Sequence, residues 1–188
     1  CAYDKQGYKF TNWAYNGKIL DEPTVRNLAE RETSIYIYAL WSPITYTVAY
    51  DGNGADLGDM PNQTVTYNQS FNLAKNEFVK NGYVFAYYVS EVSEKLYFSG
   101  SYITENLAHE QDAIVTVKAI WRPVYEGEGT EKSPYIMQTA ADVHGLNVLF
   151  REKAFRSSKK DLHILFGADI DMQGETLTPI DERCDGGF

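Results

Sequence analysis

Gly82-Tyr83-Val84-Phe85-Ala86-Tyr87-Tyr88 restates, 75 positions on, the stretch Gly7-Tyr8-Lys9-Phe10-Thr11-Asn12-Trp13. Two further blocks recur in the same order. Asn27-Leu28-Ala29 returns as Asn106-Leu107-Ala108, and Ile35-Tyr36-Ile37-Tyr38-Ala39-Leu40-Trp41-Ser42-Pro43 returns as Val115-Thr116-Val117-Lys118-Ala119-Ile120-Trp121-Arg122-Pro123. Ordered matches of this kind define an internal repeat, and a repeat settles architecture before any local reading. The chain therefore divides into modules of roughly 75–80 residues, each with a modest core.

Within the second copy, alternation marks the strands. Ile44, Tyr46, Val48 and Tyr50 fall on one face, with Thr45, Thr47 and Ala49 on the other; a period of two means a strand. Asp51-Gly52-Asn53-Gly54 breaks it with residues that accept positive φ. Gln63–Tyr67 is a second short β-prone run. A third begins after Gly82, with Tyr83, Phe85 and Tyr87 alternating against Val84, Ala86 and Tyr88, and Ile114–Trp121 is a fourth, closed by Pro123. Comparing the two copies of the last strand assigns its core face. Ile35, Ile37 and Trp41 match Val115, Val117 and Trp121 in apolar character, whereas Tyr36 and Tyr38 become Thr116 and Lys118. The first set is expected to be internal. Val25–Glu32 and Glu105–Gln111 have room for at most about two helical turns each.

The 188 residues carry 17 basic and 26 acidic side chains, a net charge of −9. Such a chain repels phosphate backbones and anionic lipid, so nucleic acid is not an expected partner. No apolar run approaches the roughly 18 residues that a membrane helix needs. Fifteen tyrosines, many among Thr and Val, make a β-rich composition. Cys1 and Cys184 lack metal or redox spacing. Cys1–Gln6 align with the segment before Gly82, so the chain reads as opening within a repeat; a lipidated Cys1 is the alternative.

Trp41-Ser42-Pro43 runs directly into the next strand, and proline stiffens the join. After Trp121, the stretch Arg122–Ser133 reads as a boundary. Beyond it the chemistry changes. Thr139 is placed as an N-cap with Asp142 as the acid of its first turn. Val143, Leu146, Leu149 and Phe150 then follow at helical spacing, to about Phe155. Leu162–Phe166 reads as a strand.

The repeated blocks resemble the Listeria–Bacteroides, or internalin B-type, repeat: a strand ending in an Asp/Asn/Gly turn, a Gly-Tyr-x-Phe-x-x-Trp strand, and a strand closing on Ala-x-Trp. Tyr46–Gly54, Gly82–Tyr88 and Ala119–Trp121 carry the match, with Tyr88 in place of the usual Trp. Gly7–Trp13 and Ala39–Trp41 match a preceding copy without its first strand. The resemblance implies a β-grasp (ubiquitin-like) module of secreted or surface-anchored bacterial proteins. Residues 129–188 resemble the opening of a surface domain that continues as a right-handed β-helix. Gly129-Thr130, Pro134-Tyr135-Ile136, Ala168-Asp169-Ile170-Asp171 and Thr178-Pro179-Ile180 carry this second match, and it implies that the helix caps the solenoid. The expected fold is thus mainly β with short helices (α+β). It comprises a partial β-grasp repeat over 1–43, a complete one over 44–124, and the helix and first strands of a truncated β-helix-type domain over 125–188.

Catalytic, metal and cofactor signatures are not found in the sequence. Asp51–Asp56 departs from a calcium loop by having Ala55 and Asp56 where a ligand and Gly are required. Asp169 and Asp171 share a strand face and could face a cation, though residues of this type more often start turns. His109, His144 and His163 lie on separate elements with no zinc spacing. Four aromatics, Tyr83, Phe85, Tyr87 and Tyr88, are the candidates for ligand contact, by stacking on sugar rings or packing against a neighbouring module. Arg151, Lys153, Arg156, Lys159 and Lys160 form a basic cluster whose simplest reading is a solvated helix face. The expectation is a non-catalytic, cofactor-free extracellular or surface-anchored bacterial module, serving as stalk or spacer in adhesion. Its expected partners are neighbouring modules and a host or matrix protein or glycan. The alternatives are a carbohydrate-binding module and the non-catalytic part of a β-helix polysaccharide-degrading enzyme.

Overall fold

The computed structural model describes residues 4–20, 34–152 and 161–175. By their contacts the residues group into two units. The first comprises Cys1–Ala49, Asn62–Asn72 and Tyr102–Val115; the second comprises Tyr50–Pro61, Leu73–Ser101 and Thr116–Phe188. The structure is mainly β, with one α-helix among the described residues.

In the first unit, β1 (Tyr8–Tyr15) turns into β2 (Lys18–Ile19) through Asn16-Gly17. Both turn residues have positive φ, 45° and 75°, as the tight hairpin twist demands. Strand β3 (Tyr38–Pro43) pairs antiparallel with β1, giving a three-stranded sheet of order β2-β1-β3. Next come β4 (Thr45–Asp51) and β5 (Gln63–Thr66), antiparallel with Thr45 opposite Thr66 and Val48 opposite Gln63. The short strands β6 (Phe71–Asn72) and β9 (Tyr102–Ile103) also pair. The alternation in β4 is realised: Ile44, Tyr46 and Val48 are buried. Glu105–Gln111, expected to have room for a helical turn, is irregular. Its groups bond elsewhere: the Leu107 N–H donates to the Tyr46 hydroxyl, and Asn106 pairs with Asn68. Val25–Glu32 lies outside the described residues.

In the second unit, β7 (Tyr83–Ser90) lies antiparallel between β8 (Leu96–Tyr97) and β10 (Ile114–Pro123). The five-stranded sheet, in which β4 and β10 each hold residues of both units, has the order β5-β4-β10-β7-β8. Val115, Val117 and Ala119 are buried and Trp121 half-buried, so the core face of this strand is the expected one.

The parity expected for β7 is broken. Trp121 pairs with Phe85, but Ile120 pairs with Tyr87, leaving Ala86 as an extra residue. A bulge of this kind shifts every later side chain to the opposite face. Phe85 therefore shares a face with Tyr88, their rings 4.8 Å apart, and stands edge-on to Trp121 at 5.7 Å. The first copy contains the same bulge. Phe10 pairs with Trp41 and Asn12 with Leu40, leaving out Thr11. The Phe10 ring lies 5.3 Å from Trp13 and 5.8 Å from Trp41. The repeat is thus one of backbone geometry as well as of letters.

A second correction concerns the core of the first copy. Ile37, expected inside, is 48% exposed and Ile35 is only half-buried, where Val117 and Val115 are buried; Trp41 is half-buried, as is Trp121. Their counterparts in β10 are flanked by β4, whereas β3 has β1 as its one neighbour among the described residues.

The remainder of the second unit holds β11 (Tyr135–Met137), α1 (Ala140–Arg151) and β12 (Ile164–Phe166). Thr139 caps α1 as read: its side chain accepts from the Asp142 N–H, while the Asp142 carboxylate accepts from the Thr139 N–H. Such a reciprocal box satisfies two orphan donors. Val143, Leu146 and Leu149 pack with Tyr125 and Met137 into a separate core. The helix ends at Arg151; Phe155 lies outside the described residues. Strands β11 and β12 run parallel, Tyr135 opposite Ile164 and Met137 opposite Phe166.

Candidate functional site

The best-defined polar and aromatic constellation of the first unit surrounds Tyr67, where the two repeats meet in sequence and in space. The Ile44 N–H donates to the Gly7 carbonyl at 3.0 Å, and the Tyr67 N–H donates to the Ile44 carbonyl at 2.9 Å. These bonds hold Gly7 against the Tyr67 ring: a Cβ on Gly7 would fall inside it. Tyr8 stands edge-on to Tyr67 at 5.6 Å and His109 at 5.7 Å. Asn68 Nδ2 donates to the Tyr8 hydroxyl at 2.8 Å. Asn68 is itself held by Asn106, donating its N–H to Asn106 Oδ1 (2.7 Å) while Asn106 Nδ2 donates to Asn68 Oδ1 (2.8 Å). Ring edges and mutually satisfied amides thus hold this cluster together.

Half of the joint is repeated further on. Gly82 has φ 77° against 76° for Gly7. Its carbonyl accepts from the Val124 N–H at 3.0 Å, as that of Gly7 accepts from Ile44. Lys80 Nζ lies 4.8 Å over the Tyr83 ring, and Lys5 Nζ 4.0 Å over the Tyr8 ring. Here, however, Gly82 faces open space, and Tyr83 and Val124 are 40% and 59% exposed.

Of the four aromatics singled out in the sequence, Tyr83 alone is exposed. Phe85 is half-buried against Trp121, and Tyr87 and Tyr88 are buried. Tyr88 donates its hydroxyl towards Met60 Sδ (3.2 Å) and Asn76 Oδ1 (3.3 Å). Burial holds its phenol far above the ordinary range. Tyr87 lies on the opposite face of the strand, edge-on to Phe98. Burial raises its phenol too, more than the Arg151 guanidinium beside it lowers it. Stacking on a sugar requires an open ring face, which Tyr87 and Tyr88 do not offer.

The other candidates have local roles. The Asp51–Asp56 loop is a turn knitted to its surroundings. Asp51 Oδ1 accepts from the Asn53 N–H, Asn53 Nδ2 donates to the Ala119 carbonyl, and Trp121 Nε1 donates to the Gly52 carbonyl. Asp171 Oδ1 accepts from the Gln173 N–H, also a turn. His109 lies on Tyr67, His144 Nε2 is 2.7 Å from Glu175 Oε2, and the His163 N–H donates to the Gly129 carbonyl. Among the described residues no three His, Cys, Asp or Glu side chains converge on a point. Arg151 meets Tyr87; Lys153, Arg156, Lys159 and Lys160 lie outside the described residues, as do Cys1, Cys184 and Thr178-Pro179-Ile180.

Tyr67 entered the sequence reading only as the end of a β-prone run, Asn68 only as the start of the sequon Asn68-Gln69-Ser70, and His109 only as a histidine without zinc spacing. Asn106 was marked only by recurrence of its Asn-Leu-Ala block.

Residues 46–108 match the family model of the Listeria-Bacteroides repeat domain. The matched stretch runs from β4 past β9 and includes Tyr67, Asn68, Gly82 and Asn106. Listeria-Bacteroides repeats are a family of surface-protein repeats. No curated protein and no solved structure matches the chain. Among the described residues no helix is long and apolar enough to cross a membrane.

Proposed function

We propose that the chain is a non-catalytic, extracellular or surface-anchored bacterial repeat segment that serves as a stalk or spacer in adhesion. Gly7 packed on the Tyr67 ring carries this reading, because a joint closed by backbone bonds and ring edges transmits orientation from one module to the next. The β-grasp assignment is part of the same proposal. Its support is a sheet in which β4 and β10, the first and last strands of the module, are neighbours. Where these strands meet, the Asp112 N–H donates to the Thr45 carbonyl and the Thr47 N–H to the Ala113 carbonyl. Both partners advance together, which is a parallel pairing. The C-terminal stretch is read as the start of a parallel-strand domain of the β-helix type, supported by the parallel β11–β12 pair.

Residual dipolar couplings of the first copy's β1–β3 strand pair and of β4–β5 test the spacer role. One shared alignment tensor is expected in the native chain and two in Tyr67→Ala. Two tensors in the native chain would remove the proposal.

A further inference from the structure

Three Asn-Gly steps occur in the chain: Asn16-Gly17, Asn53-Gly54 and Asn81-Gly82. In such a step the Gly nitrogen attacks the Asn side-chain carbonyl carbon, closing a succinimide ring and expelling ammonia. Water then opens the ring to aspartate or isoaspartate. The reaction requires an Asn side chain free to turn onto its own backbone and a Gly N–H free to lose its proton to solvent. Glycine favours it because no Cβ blocks the approach.

Two of the steps are tied. The Gly17 N–H donates to the Tyr38 hydroxyl at 2.8 Å, so the nucleophile is engaged. At Asn53 the side chain is held instead: its Nδ2 donates to the Ala119 carbonyl at 2.8 Å.

Asn81-Gly82 has neither restraint. Both residues are exposed, and among the described residues nothing bonds the Asn81 side chain or the Gly82 N–H. Asn81 is anchored by its own N–H, which donates to Asp56 Oδ2 at 2.7 Å. The Tyr83 N–H donates to the Lys80 carbonyl at 3.1 Å, with Gly82 at φ 77°. This is a type II turn, whose closing bond leaves the middle amide, that of Gly82, unused. Gly82 faces open space, so nothing obstructs ring closure there.

The first copy builds the same turn from Lys5-Gln6-Gly7-Tyr8, with the Tyr8 N–H donating to the Lys5 carbonyl at 2.9 Å and Gly7 at φ 76°. Gln6 is one methylene longer than Asn81, so it would have to close a larger ring, which forms far more slowly. Gly7 is also covered by the Tyr67 ring. The first copy therefore shows the turn in a protected form.

We propose that Asn81 is the modification site of this chain, deamidating through a succinimide with Gly82. The Gly82 N–Cγ bond forms as the Cγ–Nδ2 bond breaks, and the Gly82 amide proton leaves with Nδ2 as ammonia. Water adds to either ring carbonyl, and no oxidant or reductant takes part. The product carboxylate stands beside Asp56, where like charges repel. The isoaspartate form also lengthens the backbone by one methylene between Lys80 and Gly82. That insertion falls where the Tyr83–Lys80 and Val124–Gly82 bonds close the end of the β7–β10 pair.

The test is ageing of the intact chain in mildly alkaline buffer made with heavy-oxygen water, followed by peptide mapping in a mass spectrometer and enzymatic methylation of isoaspartate. Label is expected to enter at Asn81 at least tenfold faster than at Asn16 or Asn53. In concentrated urea the three rates should converge, because the bonds that tie Asn16-Gly17 and Asn53 are gone. Asn81→Gln places in the second copy the residue found in the first. It should abolish the fast label and leave the circular dichroism unchanged. In the aged native chain, hydrogen exchange should quicken at the amides of Tyr83 and Val124. Native label entering first at Asn16 or Asn53, or none entering at Asn81, would overturn the proposal. So would a preference for Asn81 that persists undiminished in urea, since the folded contacts would then not be its cause.

Discussion

Gly7 lies directly against the ring of Tyr67, in a left-handed conformation with φ 76°. Gly82 has the same conformation, φ 77°, with nothing near its Cα hydrogens. The pair separates two costs that usually arrive together. Gly82→Ala should destabilise by about 1–2 kcal/mol, the left-handed penalty of an L-residue. Gly7→Ala adds overlap with Tyr67 and should cost about 2–4 kcal/mol in total. Chemical denaturation of both variants measures the difference, and equal losses would mean that the Tyr67 ring moves aside freely.

Arg122 and Glu152 form an ion pair with 13% of each side chain exposed. The guanidinium also donates to the Pro123 carbonyl and lies 5.4 Å from the Tyr125 ring. Removing one member strands the other in a largely dry site, so Glu152→Ala should cost about 3 kcal/mol. Replacing both, Arg122→Leu with Glu152→Leu, should recover more than half of that loss. A double-mutant cycle by urea unfolding reads the coupling. Strictly additive losses would show the pair to be solvated.

Much of this fold could be read from alternation and recurrence, and particular residues show where such reading stops. Tyr46 and Val48 follow period two and are buried as that period requires. Phe85 and Tyr88 lie three apart and share a face, which a regular strand cannot arrange. The i, i+3 aromatic spacing, present also in Phe10 and Trp13, was itself the signal for a bulge. Asn16-Gly17 likewise marks the β1–β2 hairpin. By contrast, the two-residue strands β6, β8 and β9 are too short for periodicity to register. The joint was not legible either, because Tyr67 and Asn68 acquire their roles from Gly7, Tyr8 and Asn106, up to 60 positions away.

Thr139 and Asp142 form the closed capping box of α1. Thr139→Ala removes the acceptor for the Asp142 N–H and should cost about 1 kcal/mol. Thr139→Ser keeps the oxygen and should cost no more than a few tenths. Thermal unfolding followed by helix ellipticity distinguishes them. If the two variants melt together, the hydroxyl contributes nothing to the helix.

Burial raises the phenols of Tyr46, Tyr50, Tyr87, Tyr88 and Tyr125 above 10, with desolvation the largest cause in each case. The sign follows from linkage. A folded-state pKa above the unfolded value means that the native chain holds protons the unfolded chain has released. The stabilisation is complete below about pH 10, where both states are protonated, and is lost as pH climbs from there through the folded-state values. Unfolding free energy should therefore be insensitive to these groups at pH 7–9 and fall steeply above about pH 10. Tyr88→Phe removes one such proton. It should cost no more than about 1 kcal/mol at pH 8, where only two long hydrogen bonds are lost, and should flatten the alkaline decline. Urea unfolding of native and Tyr88→Phe chains between pH 8 and pH 11.5 checks this. Identical slopes above pH 10 would show that Tyr88 ionises only after the chain has opened.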